Sequence, residues 1–312
     1  MPHYILDCDP GHDDAIALLF AAKHLSLSGI TTVFGNTNVN NTTNNALALV
    51  SAAELDIPIA KGSAAPLSGK IESAESVHGK SGLDGANLPN GYQHEVTQSA
   101  AELLIDAART KNDLVIIAIA PLTNLAIAIK QAPDIAQRIQ EISVMGGSTG
   151  IGNVTPVAEF NIFADPEAAA IVFSSGVPIR MAGLNVTSTF GVTAFQVGAL
   201  KASPSMLPRE IGGALDYYLN RQSTIYNRTH APIHDVCAVI PYTHPDLIQY
   251  KAMHVDVECQ GDITRGQTVC DLRGMVSDEG LHPPKPKNVR VATSANGDAI
   301  SNLAIESLLS YT

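Results

Sequence analysis

A crowded acidic turn near the start of the chain constrains the fold more than any other stretch. Residues 7–14 read DCDPGHDD and lie between two apolar runs, residues 4–6 and 15–20. The first run predicts a buried strand, and the second predicts the first turns of a buried helix. Pro10 and Gly11 make the sharp turn between them. The sequence therefore places four carboxylates in one strand-to-helix turn.

Acids this close need compensation, because like charges repel unless protons or a cation neutralise them. A helix N-terminus stabilises a single acid or a pair through capping and its dipole. A hard divalent cation with oxygen ligands is the economical explanation for the rest. The alternative is an N-cap cluster on an acidic surface, which explains Asp7 and Asp9 poorly because both precede the turn. We expect His12 to face solvent or the rim of a cleft.

Strand-like and helix-like segments alternate beyond this turn. Alternation of this kind predicts an α/β fold with a mostly parallel, doubly wound, Rossmann-like sheet and helices on both faces. The predicted strands are 4–6, 30–34, 57–60, 114–120, 142–145 and 178–182, and the predicted helices begin at 15 and then cover 45–55, 99–110, 123–131 and 166–174.

The C-terminal half is predicted to be more helical. Its elements are a helix at 209–228, a helix start at 234–240, strands at 249–257 and 268–272 as an antiparallel extension, a turn at 280–288 and a helix at 298–310. Two long polar loops, 61–96 and 148–164, are of a length that is more often functional than idle. No internal repeat or separating linker is evident, so we predict a single domain over residues 1–312.

In open parallel sheets, ligands bind beyond the carboxyl ends of the strands. The polar residues that follow each strand should therefore converge, and they are Asp9, Asp13, Asp14, Asn36, the segment 119–124 and Asn153. Asp9 and Asp14 could bind one cation from the two sides of the turn. Asp235 is a third candidate ligand, although a capped helix beside an incidental His234 explains it equally well. Oxygen-only ligation selects Ca²⁺ or Mg²⁺, and several carboxylates with carbonyls favour Ca²⁺.

The loop at 152–161 carries two amides and an acid, Asn153, Asn161 and Glu159. Such groups suit a polyhydroxylated ligand such as a sugar. Turn chemistry is the alternative for the asparagines, Asn36 included. His78, Tyr226, His230 and His234 form an aromatic and imidazole set, although a lone histidine is usually structural.

Composition excludes several classes of function. The formal net charge is −11 and the pI is about 5.3, which argues against nucleic acid and anionic membranes as partners. No apolar run approaches a membrane span. The four cysteines show no Cys-x-x-Cys pairing, which fits reduced thiols in a cytoplasmic protein. Neither a Gly-x-Gly-x-x-Gly loop nor a Gly-x-Ser-x-Gly elbow is present, so nucleotide-cofactor and serine-hydrolase functions lose support.

Taken together, the motifs resemble the inosine–uridine-preferring nucleoside hydrolase family over essentially the whole chain. The segments that carry the resemblance start with the acidic turn and continue in order with 33–36, 77–83, 121–124, 144–147, 153–161, 165–168 and 234–235. The resemblance implies one Ca²⁺ per subunit, a ribonucleoside substrate and a homo-oligomer, dimeric or tetrameric.

The resemblance also implies a role for each matching residue. Ca²⁺ would be held by Asp9, Asp14, Asp235 and the main-chain carbonyl of Ile119, and Asp9 would deprotonate the attacking water. The ribose would be gripped by Asp13, Asn36, Met145, Asn153, Glu159 and Asn161. His234 would assist departure of the base, in a pocket lined by His78, Gln222 and Tyr226. Carboxylates would stabilise the oxocarbenium-like transition state.

Two positions depart from the family pattern. Ala120 stands where the family usually has Gly, and Asn185 stands where Asp is common. We expect the Ile119 carbonyl still to point inward, and Asn185 to give structural support without loss of activity. The chain has no Trp, on which the purine-specific branch stacks the base. The set of His78, Gln222, Tyr226 and His234 resembles the pyrimidine-preferring branch, so uridine and cytidine are favoured, with inosine still open.

Two other function classes compete with this hypothesis. A metal-dependent phosphohydrolase could use the Asp-x-Asp after the first strand, but loops rich in Asn and Glu suit a neutral sugar better than a phosphate. A non-catalytic sugar- or nucleoside-binding protein would keep its binding after Asp9→Ala, whereas a hydrolase would lose turnover.

Overall fold

An eight-stranded sheet organises the molecule. The structure, a computed structural model, describes residues 2–91, 94–274 and 282–312. The strands are β1 His3–Cys8, β2 Leu27–Thr32, β3 Ile59–Lys61, β4 Leu114–Ala118, β5 Ile139–Met145, β6 Ile179–Ala182, β7 Gly191–Thr193, β8 His230–Pro232, β9 Ile248–Met253, β10 Val255–Val257, β11 Thr268–Cys270 and β12 Val289–Ala295.

The strand order of the main sheet is β3-β2-β1-β4-β5-β6-β12-β9. Every neighbouring pair is parallel except β12 with β9. The chain runs outward from β1 through β2 to β3 and then returns to β4 on the other side of β1. The order therefore reverses between β1 and β4, and a crevice opens at such a switch point beyond the carboxyl ends of the strands. The acidic turn follows β1 and lies in that crevice.

Helices cover both faces of the sheet. They are α1 His12–His24, α2 Val39–Ala52, α3 Glu75–His78, α4 Ala100–Thr110, α5 Thr123–Gln131, α6 Phe160–Ala164, α7 Pro166–Phe173, α8 Leu184–Thr187, α9 Ala194–Lys201, α10 Met206–Tyr226, α11 Val236–Val239 and α12 Gly297–Leu309. Apolar residues of α1, α2, α10, α11 and α12 pack in one core cluster. Those of α4, α5 and α7 pack in a second cluster on the other face. Burial of these two layers is the main source of stability of such a fold.

The predicted α/β class with a mostly parallel, doubly wound sheet is confirmed. Several elements were placed wrongly. The second strand runs from Leu27 to Thr32 and does not reach 34, because its last partner in β1 is Cys8, where β1 ends. The predicted strand at 249–257 is divided at His254 into β9, which extends the main sheet, and β10, which pairs with β11 in a separate sheet.

Other elements escaped prediction. Strand β12 lies where no element was expected, and the polar loops 61–96 and 148–164 contain the short helices α3 and α6. Residues 92 and 93 of the first loop and residues 280 and 281 of the predicted turn at 280–288 lie outside the described residues. Within the described ranges, no helix combines the length and apolar character that crossing a membrane would require.

Candidate active site

The acidic turn joins β1 to α1 through Gly11, the N-cap residue of the helix. The carboxylate of Asp14 folds back on the turn and accepts the backbone N–H groups of Gly11 at 3.0 Å and Asp9 at 3.1 Å. It also accepts the side-chain amide of Asn36 at 2.8 Å. The bond from Gly11 satisfies a donor that a helix start leaves open. Asp14 is therefore a structural cap as well as a member of the acid cluster.

The acids of this turn are buried to an unusual degree. Asp9, Asp13, Asp14 and Asp235 are each exposed by 5% or less. One oxygen of Asp9, Oδ2, accepts the N–H of Asn36 at 2.6 Å, whereas the other, Oδ1, is buried without a partner among the described residues. Burial and the neighbouring Asp14 raise the pKa of Asp9 well above its usual range. An ionised, unpartnered carboxylate in such a place is costly unless a cation lies nearby.

Asp235 reaches the same place from another part of the chain, immediately before α11. Ligand oxygens of Asp13, Asp14 and Asp235 lie within 4.8 Å of one another. Asp9 adjoins this group through the carboxylate of Asp14. Asp13 also accepts the backbone N–H of His234. Burial and the nearby Asp14 raise the pKa of Asp13 to about 8. The predicted ligands Asp9, Asp14 and Asp235 are thus brought together, and Asp13 lies closer to them than a ribose contact alone requires.

The donor set fits a hard divalent cation. All of these side chains offer carboxylate oxygens, and none of the ion pairs found in the described part of the chain compensates them. The carbonyl oxygen of Ile119 lies at the end of β4 and accepts the amide of Asn161 at 3.2 Å. Ile119 lines the same cavity as Asp13, Asp14 and Asp235. Oxygen-only ligands of this kind are typical of Ca²⁺ and Mg²⁺ sites.

A cavity of about 240 Å³ opens beside the acid cluster. One wall comes from the loop after β5. Glu159, the N-cap of α6, accepts the N–H groups of Gly147 at 2.8 Å, Asn161 at 2.9 Å and Ile162 at 3.2 Å. Burial raises the pKa of Glu159 to about 7. The predicted ribose residues that line this cavity are Asp13, Asn36, Met145, Asn153, Glu159 and Asn161.

The opposite wall carries the predicted base-pocket residues His78, Gln222, Tyr226 and His234, all of which line the cavity. His234 Nδ1 lies 2.8 Å from the hydroxyl of Thr187. Burial, assisted by Arg228 and His230, lowers the pKa of His234 to about 3, so its imidazole is neutral near pH 7. His234 can therefore assist a leaving base as a neutral hydrogen-bond donor more readily than as an imidazolium acid.

Arg228 is a cavity residue that the sequence analysis missed. Its guanidinium lies 5.1 Å from the ring centroid of Tyr226 and donates to the side-chain oxygen of Gln222 at 3.0 Å. Since this oxygen is engaged, the amide NH₂ of Gln222 remains for a ligand. Further lining residues that were not predicted are Glu72, Ser73, Ala74, Ser76, Val77, Val154, Phe160 and Tyr218.

The expectation for His12 was wrong. Its side chain is fully buried and stacks among His78, Tyr217 and Tyr218 at centroid distances of 5.2, 5.6 and 5.1 Å. The short helix α3 and the long helix α10 close over it. No local pattern indicates this burial, because both helices are distant in sequence.

The two departures from the family pattern are accommodated. Ala120 is buried beside Val33 and Phe34. The carbonyl oxygen of the neighbouring Ile119 accepts the side-chain amide of Asn161, and both residues line the cavity. Asn185 accepts the N–H of Thr149 at 3.4 Å and donates to the carbonyl of Ala292 at 2.9 Å. It joins the loop after β5 to strand β12.

Comparisons with known proteins agree with this geometry. The family model described as inosine-uridine preferring nucleoside hydrolase matches residues 4–302. The chain is 38% identical to the pyrimidine-specific ribonucleoside hydrolase RihA of Shewanella oneidensis, over 99% of this chain and 96% of that protein. It is 36% identical to the pyrimidine-specific ribonucleoside hydrolase RihB of Escherichia coli, over 98% and 97%. A solved structure, the purine-preferring ribonucleoside hydrolase from Gardnerella vaginalis, superposes with a TM-score of 0.90 at 28% identity and covers 98% of both chains.

Proposed function

Since this chain belongs to the inosine–uridine preferring nucleoside hydrolase family, whose members hydrolyse N-glycosyl bonds of ribonucleosides, we propose that it releases the base from uridine and cytidine in a Ca²⁺-dependent reaction, with inosine a further candidate. The observation that carries this proposal is the cluster of buried acids at one end of a cavity whose other end is lined by hydrogen-bond donors. Such a site suits a neutral, polyhydroxylated substrate that develops positive charge in the reaction.

In this proposal the ion is one Ca²⁺ per subunit, held by Asp9, Asp14, Asp235 and the carbonyl of Ile119. When bound, it supplies a Lewis acid that orients the vicinal hydroxyls of the ribose and the attacking water. The buried, unpartnered oxygen of Asp9 supports this assignment, as does the mutual proximity of Asp14 and Asp235. Asp13 then contacts the ribose or provides a further carboxylate ligand to the ion.

Asp9 removes the proton from the attacking water. Its Oδ2 is fixed by the N–H of Asn36, so its free oxygen, Oδ1, is the one available to accept that proton. Asn36, Met145, Asn153, Glu159 and Asn161 hold the ribose from the other side. As the glycosidic bond breaks, positive charge develops on the ribosyl ring, and the surrounding carboxylates stabilise it.

The departing base gains electron density and needs hydrogen-bond donors. His234, Gln222 and Tyr226 offer N–H and O–H groups at the base end of the cavity, and Arg228 adds a fixed positive charge behind Gln222. The wall contains no Trp on which a purine could stack. Two relatives that carry the name pyrimidine-specific support the same preference.

We also propose that residues 1–312 form a single domain and that the enzyme is a cytoplasmic homodimer or homotetramer. Both apolar layers pack against one continuous sheet, which supports the single domain. The four cysteines are free, which supports a reducing compartment.

A base-release assay tests the function directly. Purified protein is incubated with uridine, cytidine, inosine and adenosine, in Ca²⁺ and after exhaustive chelation. We expect release of uracil and cytosine fastest, and loss of turnover after chelation that Ca²⁺ restores. Parallel incubation with uridine monophosphate separates the phosphohydrolase alternative. Release of phosphate without free base, or full activity after metal removal, would contradict the proposal.

A further inference from the structure

The end of α10 brings Arg228 against both the backbone and the side chain of Gln222. Asn227 ends the helix in the left-handed conformation, with φ 55° and ψ 36°, so the chain turns back on the last helical turn. The backbone N–H of Arg228 then donates to the carbonyl of Gln222 at 3.4 Å. Its guanidinium donates through Nη1 to the side-chain oxygen of the same residue at 3.0 Å. The helix end itself therefore holds Arg228 over the side chain of Gln222.

This contact determines which way the amide of Gln222 faces. A primary amide has an acceptor at one end and two N–H donors at the other, and half a turn of the group exchanges them. A guanidinium can only donate, so the oxygen of Gln222 must face Arg228. The hydroxyl of Tyr218, which the side chain of Gln222 also approaches, can donate or accept and so imposes no direction. Arg228 thus leaves the NH₂ group of Gln222 to face a ligand in the cavity.

Position along α10 indicates which part of a nucleoside Gln222 meets. Tyr218, Gln222 and Tyr226 follow one another at intervals of four residues, so they lie on one face of the helix at levels about 6 Å apart. Tyr218 is buried against His12, which adjoins the acid cluster in sequence, whereas Tyr226 is 41% exposed. All three line the cavity. Gln222 therefore lies beyond the level proposed for the ribose and meets the base on the edge that points away from it.

The two pyrimidine nucleosides differ on this edge. Uracil has a carbonyl oxygen at position 4 of the ring, which is an acceptor, whereas cytosine has an amino group there, which is a donor. An NH₂ group held toward this edge bonds the carbonyl oxygen and opposes the amino group. A site with a directed donor discriminates in this way because the wrong partner leaves the donor unpaired.

We propose that Arg228 is a positioning residue that holds the Gln222 amide with its NH₂ group toward the base, so that the enzyme hydrolyses uridine in preference to cytidine. This inference rests on the proposed function for its reaction. Arg228 acts through Gln222 and not by a contact of its own with the base. Without the guanidinium the amide is free to turn over, and Gln222 then accepts from cytosine as readily as it donates to uracil.

The ratio of kcat/KM for uridine to kcat/KM for cytidine measures this preference, because the folded fraction and the metal content of a preparation cancel in it. We expect the wild type to favour uridine and Arg228→Met to lower the ratio by about five- to tenfold, the scale of one neutral hydrogen bond. Arg228→Lys keeps a group that only donates, so it should retain more of the preference than Arg228→Met. A wild type that favours cytidine overturns the proposal, as does an unchanged ratio in Arg228→Met.

Arg209→Met is the matched control for Arg228→Met. Arg209 belongs to the same helix but does not line the cavity, so this variant should keep the wild-type ratio. An equal fall of the ratio in both arginine variants would mean that the loss of any charge on α10 alters the preference, and it overturns the proposal.

A double-mutant cycle tests whether Arg228 acts through Gln222. In a Gln222→Ala background, Arg228→Met should leave the ratio unchanged, because no amide remains to be oriented. A further fall in that background would mean that Arg228 contacts the base itself, which overturns the proposal. Gln222→Glu offers only acceptors, so it should shift the preference toward cytidine. Full retention of the uridine preference in Gln222→Glu overturns the proposal even where Arg228→Met does not fold.

A failure of the proposed function is distinguishable from a failure of this inference. If the wild type releases no base from any nucleoside, the proposed function is wrong. The dissociation constants of uridine and cytidine, measured by calorimetry on the same variants, then test the inference without turnover. The wild type should bind uridine more tightly, and Arg228→Met should reduce the difference. Equal affinities in the wild type, or binding of neither nucleoside, overturn it.

Discussion

Asp9 has two carboxylate oxygens with different surroundings. Asn36 binds one, and the other is buried without a partner among the described residues. We expect Asp9→Asn to keep the Asn36 contact and to lower kcat for uridine by about 10³-fold, within the range that general-base catalysis contributes. Steady-state base release measures the effect, and Asp246→Asn, an exposed position, is the control. An Asp9→Asn enzyme within tenfold of wild type would exclude Asp9 as the base.

Asp7 and His12 mark how far the sequence predicts single residues. Asp7 was recognised only as one of the four acids of the turn; its Oδ1 accepts the hydroxyl of Thr31 at 2.5 Å and the amide of Asn124 at 2.8 Å. These partners come from β2 and α5, so the sequence identifies the acidic turn but not the contacts of Asp7 within it. His12 was assigned to the surface wrongly, because its burial depends on α3 and α10, whose approach has no local signal.

At the scale of elements, α10 holds one wall of the cavity in place. The guanidinium of Arg221 donates through Nε to the carbonyl of Ser76 at 2.9 Å, and Ser76 and Val77 line the cavity beside His78. We expect Arg221→Ala to raise KM for uridine several-fold and to leave kcat nearly unchanged. Without this bond, part of the binding energy of the substrate is used to order the wall, so KM rises. The acid cluster is unchanged, so kcat is retained.

Arg209→Ala is the matched control for this expectation. Arg209 lies on the same helix, but its guanidinium bonds the carbonyl of Pro204 away from the cavity. The same kinetic measurements apply to both variants. A fall in kcat with unchanged KM in Arg221→Ala would mean that the helix acts on the chemistry and not on binding.

Elements with a strong apolar signature were predictable, and those defined by their partners were not. The buried strand β4 reads as a continuous apolar run, and α4 begins with a capping box at Ser99 and Glu102. Strand β12 mixes Val289 and Val291 with Arg290 and polar residues, so its place between β6 and β9 is visible only in the sheet. Arg228 was missed for the same reason, since it enters the cavity just beyond the end of α10.

At the scale of the whole molecule, the acid cluster makes stability depend on pH and on the metal. Burial raises the pKa of Asp7 to about 6, of Glu159 to about 7 and of Asp13 to about 8. The pKa values of Asp9, Asp14 and Asp235 are raised as well. In unfolded chains such groups titrate near pH 4. Between about pH 4 and pH 8, the metal-free folded state therefore binds more protons than the unfolded state, and its free energy of unfolding falls as pH rises.

Ca²⁺ should reverse this trend, because it replaces the protons that the cluster would otherwise retain. We expect a larger rise in melting temperature on Ca²⁺ addition at pH 8 than at pH 5. A concentration of 100 times Kd corresponds to about 2.7 kcal/mol of added stability. Thermal unfolding in Ca²⁺ and in chelator at both pH values measures it. Asp235→Asn removes one charge, so its metal-free form should lose less stability at pH 8 and gain less from Ca²⁺. Stability that rises with pH in the metal-free wild type would show that these carboxylates are not held in their protonated state by burial.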